Sequence, residues 1–307
     1  MSFRECIKTN RNILMEGALG ERLKREYGLI VNDVIAMANL IYSEQGAGAL
    51  EELWTEYIEI ARKYHLPFIA TTPTRRANYE RILKSGYSEQ IILDNVNFLK
   101  NIQKDSGIEM YVGGLMGCKG DAYTGIGALD EKEALDFHRW TVEKFQKADV
   151  DFLYAGIMPC LSEATGLAKA IDDTGIPYII SFTIQQDGKL IDGTTIADAI
   201  EYIDENTVNR PVCYMTNCVH PSILLRALAH PFNSSSVVKE RFRGIQANTS
   251  PLSYEELDNS VDLKCSEPDE FAEEMMKLVN IGKFQIWGGC CGTDNRHMES
   301  VAQRLRR

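Results

Sequence analysis

The feature that most constrains this chain is a recurrence. A short apolar, β-rich run is followed by a helical or longer connecting segment, eight times in succession. The runs are Asn12–Glu16, Pro67–Thr72, Glu109–Leu115, Asp151–Ala155, Pro177–Thr183, Val212–Cys218, Phe242–Asn248 and Phe284–Trp287. They are nearly continuously apolar rather than alternating, as expected of strands covered on both faces. After Ser88, the residues Ile92, Val96, Leu99 and Ile102 repeat at helical spacing. After Asp130, with Glu133 placed to complete a capping box, come Leu135, His138, Val142 and Phe145. Leu161–Asp173, Thr194–Asn206, Pro221–Ala229, Glu267–Ile281 and Asn295–Arg304 also read as helices. Two domains would need a linker, and no Pro/Gly/Ser-rich or low-complexity stretch supplies one. The pattern predicts a single (β/α)8 TIM-type barrel over residues 1–307.

Charge narrows the partners. With 33 basic and 44 acidic residues the net charge is -11, which argues against nucleic acid or an anionic membrane, since both need a basic surface. The start of the chain carries no apolar signal core, and no apolar run approaches membrane-spanning length. A cytoplasmic location is therefore expected. In that compartment the eight cysteines are free, metal-bound or catalytic in preference to disulfide-bonded.

Barrels of this kind carry their chemistry at the C-terminal ends of the strands. Three cysteines meet that condition. Cys218 closes the sixth run, and Cys290 and Cys291 close the eighth within Gly288-Gly289-Cys290-Cys291-Gly292-Thr293. Neighbouring side chains on a regular strand point to opposite faces, so the pair can reach one point only if the backbone leaves the strand. The flanking glycines permit that. Three thiolates with an open fourth position suit catalytic zinc. From the residues alone, buried apolar cysteines or a vicinal disulfide at 290–291 fit as well, and no short Cys-x-x-Cys spacing decides between them. Cys6, Cys118, Cys160, Cys213 and Cys265 read as packing or surface residues.

Beyond the cysteines, several segments together carry a resemblance. Gly288-Gly289-Cys290-Cys291-Gly292-Thr293, Asn217-Cys218 with Pro221, Glu16-Gly17-Ala18-Leu19-Gly20, Thr72-Pro73-Thr74 with Ala77-Asn78 and Arg81, Asp151–Pro159 with Glu163-Ala164, and Ser181-Phe182 with Asp187-Gly188 and Gly193-Thr194 occur in order. In these the chain resembles the zinc-dependent homocysteine S-methyltransferase family. The resemblance implies a barrel holding zinc on Cys218, Cys290 and Cys291. It also implies substrate contacts at Glu16, Gly17, Thr72 and Asn217, and no catalytic residue beyond the metal site. An acceptor thiol, homocysteine foremost, would lose its proton at the metal and take a methyl group from an activated donor, giving methionine. Expected partners are that small thiol and the donor, with self-association left open. The alternatives are a zinc barrel with a different thiol acceptor and a non-catalytic zinc- or thiol-binding relative.

Departures from the family pattern fall on the acceptor side. Gly156-Ile157 stand where a Glu-Thr pair is usual, Pro73 replaces an asparagine, and Arg75-Arg76 follow. Both arginines are expected to open a helix on the solvent side. The segment Lys119–Leu129 reads as a lid or a plain connector, and His220 as a surface histidine near Cys218. Trp287, Tyr154, Tyr111 and Phe182 are expected in the core.

Overall fold

The computed structural model describes residues 1–252 and 266–306, so Cys265 lies outside the described residues. Eight parallel strands close into a barrel in sequence order. They are β1 (Ile13–Met15), β2 (Phe68–Thr71), β3 (Met110–Met116), β4 (Phe152–Met158), β5 (Tyr178–Phe182), β6 (Cys213–Val219), β7 (Phe242–Ala247) and β8 (Ile286–Gly289). Each falls on its predicted run. Two differ usefully: β4 runs on to Met158, and β8 begins at Ile286 and ends against the cysteine pair.

Helices α1 (Phe3–Thr9), α2 (Gly20–Arg25), α3 (Glu44–Tyr64), α4 (Tyr79–Ser85), α5 (Gln90–Ser106) and α6 (Glu131–Lys147) form the first part of the outer layer. It continues with α7 (Leu161–Asp172), α8 (Ile196–Glu205), α9 (Pro221–Ala229), α10 (Ser236–Arg241), α11 (Pro268–Met276) and α12 (Asn295–Leu305). The capping box read at Asp130 is present: Glu133 N donates to Asp130 Oδ1 at 2.8 Å, and Asp130 N to Glu133 Oε2 at 3.4 Å. The connection after β1 holds α3, which the periodicity above did not mark. Ser43 caps it, and Leu50, Leu53, Trp54, Tyr57 and Ala61 lie buried on its barrel-facing side. No described helix is long and apolar enough to cross a membrane.

Side-chain alternation divides the core in two. Inward residues such as Ile13, Met15, Ile69, Phe152, Tyr154 and Met215 fill the barrel, while outward ones such as Leu14, Phe68 and Tyr214 meet the helices. Neighbouring glycines on β3 serve both layers. A Cβ on Gly113 would lie 2.4 Å from Phe152 Cζ inside, and one on Gly114 would lie 2.6 Å from Phe145 Cδ1 outside. Tyr111, Tyr154, Phe182 and Trp287 are core residues, as expected.

Helix α1 closes the floor. Phe3 stacks on Phe152 with ring centroids 4.2 Å apart and meets Tyr111 edge-on at 5.4 Å. Gln285 Nε2 donates to Ile7 O and Asn10 O, both at 3.1 Å. The end opposite this plug, where the strands terminate, is left for chemistry. Phe3→Ala, which empties the plug, is expected to cost about 3–5 kcal/mol in urea unfolding; a loss under about 1 kcal/mol would show that the floor does not depend on it.

Candidate metal centre

Along β6, Cys213 and Met215 point into the barrel, whereas Tyr214 packs outward. Strict alternation would turn Cys218 toward the helices as well. The strand breaks its register between Asn217 and Val219, and Cys218 takes a left-handed backbone with φ +54°. Left-handed backbone is costly for any residue with a Cβ and persists only where its surroundings impose it. Here it re-aims the thiol into the barrel mouth, where Cys218 packs with Ala122 and Ile157. Ile157 does the same on β4, with φ +50° at a second register shift.

Asn217 joins these two irregularities. Its Oδ1 accepts from Ile157 N at 3.0 Å, and its Nδ2 donates to Tyr154 Oη at 2.7 Å and to Gln246 Oε1. Asn248 Nδ2 holds the Cys218 carbonyl at 2.8 Å.

The other two cysteines sit on a β-turn. Thr293 N donates to Cys290 O at 3.1 Å, and Gly292, third in the turn, has φ +82°. Positive φ at that position is the type II pattern, which glycine satisfies without strain. Thr293 Oγ1 also donates to Cys290 O at 2.7 Å and accepts from Ala18 N at 3.0 Å. Glu21 Oε2 accepts from Gly292 N at 2.7 Å, and Gly289 N reaches Glu16 O at 3.0 Å.

The Sγ atoms of Cys218, Cys290 and Cys291 therefore all lie within 4.8 Å of one another. Cys290 Sγ is 4.0 Å from Cys291 Sγ. Cys218 Sγ and Cys290 Sγ are in direct contact at 2.50 Å, with Cα atoms 5.6 Å apart. Four sulfurs around tetrahedral zinc at 2.3 Å would stand roughly 3.8 Å from one another; Cys290 and Cys291 already have about that spacing, and Cys218 and Cys290, bonded to each other here, would take it once reduced to thiolates and parted. Cys218 is buried, Cys290 half-buried and Cys291 exposed at the rim, which leaves the outer side open to a ligand. The pKa of Cys291 is raised by crowding of its thiol and then by Glu21, with Arg75 opposing.

The connection from β3 to α6 roofs this mouth. Asp121 Oδ1 accepts from Tyr123 N and Thr124 N at 2.9 and 2.8 Å, and these bonds lower its pKa. Buried Glu163 of α7 anchors the connection by accepting from Lys119 N at 2.6 Å and Leu129 N at 3.4 Å, with His138 Nε2 at 3.1 Å. Ala122 and Tyr123 are thereby packed in the cluster containing Cys218 and Cys290, and burial pushes the Tyr123 phenol up to about 12. This is a roof rather than a plain connector. Cys118 packs in the same cluster outside the three-sulfur set.

The remaining predicted site residues sort by partner. Glu16 is buried; it accepts from Trp54 Nε1 at 2.7 Å, Thr71 N at 3.0 Å and Thr71 Oγ1 at 2.6 Å. Burial pushes it up to about 7 against those bonds. Gly17 lies under Tyr57, where a Cβ would meet the phenol oxygen at 2.6 Å. Thr72 Oγ1 is engaged by Thr74 at 2.7 Å and by Leu115 N at 3.1 Å. Two readings change. His220 is a buried helix cap, its Nδ1 accepting from Ser222 N at 3.2 Å, with burial lowering its pKa. Arg75 precedes α4 and is half-buried, its Cγ lying 2.9 Å from where a Cβ on Gly117 would sit at the start of the roof. Of the two readings of Lys119–Leu129 the lid-like one describes it; the anchoring of that segment by Glu163 was missed. The Asp121–Thr124 turn was the available signal, because an aspartate bonding the backbone two and three residues on organises a loop.

Fold and site together define a (β/α)8 barrel whose mouth gathers three cysteine sulfurs. The chain belongs to the homocysteine S-methyltransferase family, whose model matches residues 13–305. It is 23% identical over 214 residues to homocysteine S-methyltransferase YbgG of Bacillus subtilis (strain 168), covering 63% of this chain and 65% of that relative's length. The homocysteine methyltransferase MmuM of Escherichia coli shares the fold. Its metallated form superposes with TM-score 0.77 at 19% identity, covering 98% of this chain and 99% of that one. Its oxidized form gives 0.75 at 19% identity, covering 97% of each.

Two outcomes follow from this geometry. A Cβ on Gly292 would lie 2.0 Å from Thr249 Oγ1 on a backbone at φ +82°, so Gly292→Ala should displace Cys291. Competition with a chromophoric chelator should show zinc affinity down by about tenfold or more; unchanged affinity would mean that the turn does not set the ligand. Glu16 is protonated more readily folded than unfolded, so its contribution to stability declines as pH rises from 4.5 toward 7. The decline should reach about 3 kcal/mol and be missing from the pH–stability slope of Glu16→Gln.

Proposed function

We propose that this chain is a zinc-dependent S-methyltransferase that moves a methyl group from an activated donor to a thiol, with homocysteine the leading acceptor and methionine the product. The observation that carries the reading is the convergence of Cys218, Cys290 and Cys291 to within 4.8 Å at the open end of the barrel. When bound, zinc supplies a coordination position at which an acceptor thiol becomes a thiolate near neutral pH. Three thiolate ligands make that metal a mild Lewis acid, suited to a sulfur nucleophile. Such ligands must stay reduced, which supports a cytoplasmic setting.

The protein's own residues position and shelter. The Cys290–Thr293 turn and the left-handed backbone at Cys218 orient the sulfurs. Ala122, Tyr123 and Ile157 keep water from the inner side. Asn217 fixes Ile157 and, by our reading, shapes the acceptor pocket together with Glu16, Gly17 and Thr72. In the transfer, the bond from methyl carbon to the donor heteroatom breaks, and its electron pair leaves with the donor. A carbon–sulfur bond forms to the acceptor, whose proton has gone to solvent. Holding sulfur, carbon and leaving atom in line is the protein's task.

A second reading keeps this chemistry with another thiol. Gly156, at the end of β4, offers the mouth no side chain, and a Cβ there would already lie 2.9 Å from Leu115 Cδ1.

Protein purified under reducing conditions should carry about one zinc per chain, and Cys290→Ser should lose most of it. With homocysteine, a panel of S-methylmethionine, S-adenosylmethionine, betaine and methylated folate or corrinoid should yield methionine from one donor. A wild-type protein that stays largely zinc-free even after zinc is added under reduction would refute the reading.

A further inference from the structure

The inner face of the barrel mouth holds two buried oxygens that no other described residue engages. On β5, Ile179 points into the barrel while Ile180 and Phe182 pack outward. Ile184 also packs outward, and Thr183 N donates to Met158 O at 2.9 Å, so the pleat continues past the strand and turns Thr183 inward. On β7, Ile245 and Ala247 pack outward and Gln246 meets Tyr154 and Asn217 inside. Asn248 N continues that ladder to Val219 O at 3.0 Å, which places Asn248 on the inner side as well. The two residues therefore end the strands on either side of β6, whose own end carries Cys218.

Thr183 is 0% exposed and Asn248 4%. Among the described residues, Thr183 Oγ1 and Asn248 Oδ1 have no hydrogen-bond partner. Turning the Asn248 amide over does not remove the gap. Its Nδ2 donates to Cys218 O at 2.8 Å, and a carbonyl only accepts, so Oδ1 is left as an open acceptor. Asn217, between the two, is fully engaged: its oxygen takes Ile157 N, and its nitrogen reaches Tyr154 and Gln246. Unpartnered atoms on Asn95, Thr141 and Tyr178 lie in the helical layer, and that of Ser181 lies deeper on β5. Gly156, on the strand beside β5, supplies no side chain to fill the gap. A buried acceptor without a donor costs free energy, and at the mouth of a site a ligand can recover it.

Two acceptors call for a group with several N–H donors, and the setting favours a positive one. Three cysteine thiolates around a divalent zinc leave a net negative charge, which an acceptor thiolate increases. An ammonium beside them is stabilised by that charge and by charge-assisted bonds to both oxygens. We propose that Thr183 Oγ1 and Asn248 Oδ1 receive the amino group of the acceptor and so select an amino-bearing thiol over one without nitrogen. This rests on the homocysteine reading above and assigns two of its recognition residues.

Cobalt-substituted protein provides a test that needs no methyl donor. Thiols are titrated against the sulfur-to-cobalt charge-transfer bands. The probes are homocysteine and 4-mercaptobutyrate, which differ by the amino group, and 3-mercaptopropylamine and 1-propanethiol, which differ in the same way without a carboxylate. In the wild type each amine should bind about thirtyfold or more tightly than its nitrogen-free partner. Thr183→Val, which removes the hydroxyl at nearly constant volume, should cut both ratios about tenfold, and Thr183→Ser should keep them. Asn248→Ala should cut the same ratios even where it also weakens metal binding, because each ratio compares two thiols at one centre. Ratios near one in the wild type, or ratios that both Thr183→Val and Asn248→Ala leave unchanged, overturn this proposal while the three-cysteine reading stands. Absence of any cysteine-to-cobalt band overturns the metal reading, and this proposal with it.

Discussion

Everything at the mouth depends on a backbone that turns left-handed where β6 ends. A strand that kept its pleat through Cys218 would bury the thiol among the helices, as Tyr214 is buried. The reversal at φ +54° needs a structure that imposes it. Asn217, one residue earlier, helps supply that structure from inside the barrel: its amide engages Tyr154, Gln246 and the Ile157 N–H at once. The same amide supports the left-handed Ile157 on β4. A bulge on one strand is thus braced by a bulge two strands away, and a cysteine and an isoleucine end up side by side in one cluster.

The second half of the site solves a different geometric problem. Two adjacent cysteines must face one point, and a turn brings them round where a strand cannot. Gly292 supplies the positive φ, and Thr293 bonds the turn to itself and to Ala18 after β1. Because Gly289 N also bonds Glu16 O, the first and last strand ends hold the cysteine pair jointly. The buried Glu16 carboxylate, clasped by Trp54 and Thr71, locks β1, β2 and α3 behind that junction. These bonds hold β1 in place beneath the turn.

Around this frame the roof covers the inner side of the mouth. Glu163 and His138 are far from the cysteines in sequence, but through Lys119 and Leu129 they fix the segment that lays Ala122 and Tyr123 over the sulfurs. Arg75 lies along the same segment.

Much was legible in the residues themselves. Near-continuous apolar runs separated by amphipathic stretches specify a barrel, because each strand must be buried on both faces and each helix on one. The strand ends at Cys218 and Cys290, and the glycines around the cysteine pair, follow from that pattern together with the permissive backbone of glycine. Two things did not follow: the left-handed reversals at Cys218 and Ile157, and the anchoring of the Lys119–Leu129 segment by Glu163. Each depends on contacts between residues dozens of positions apart. Local sequence determined which segments are strands and which sulfurs stand at their ends. Tertiary structure alone decided where those sulfurs point, because a strained backbone is held by the packing of other elements and not by its own neighbours in the chain.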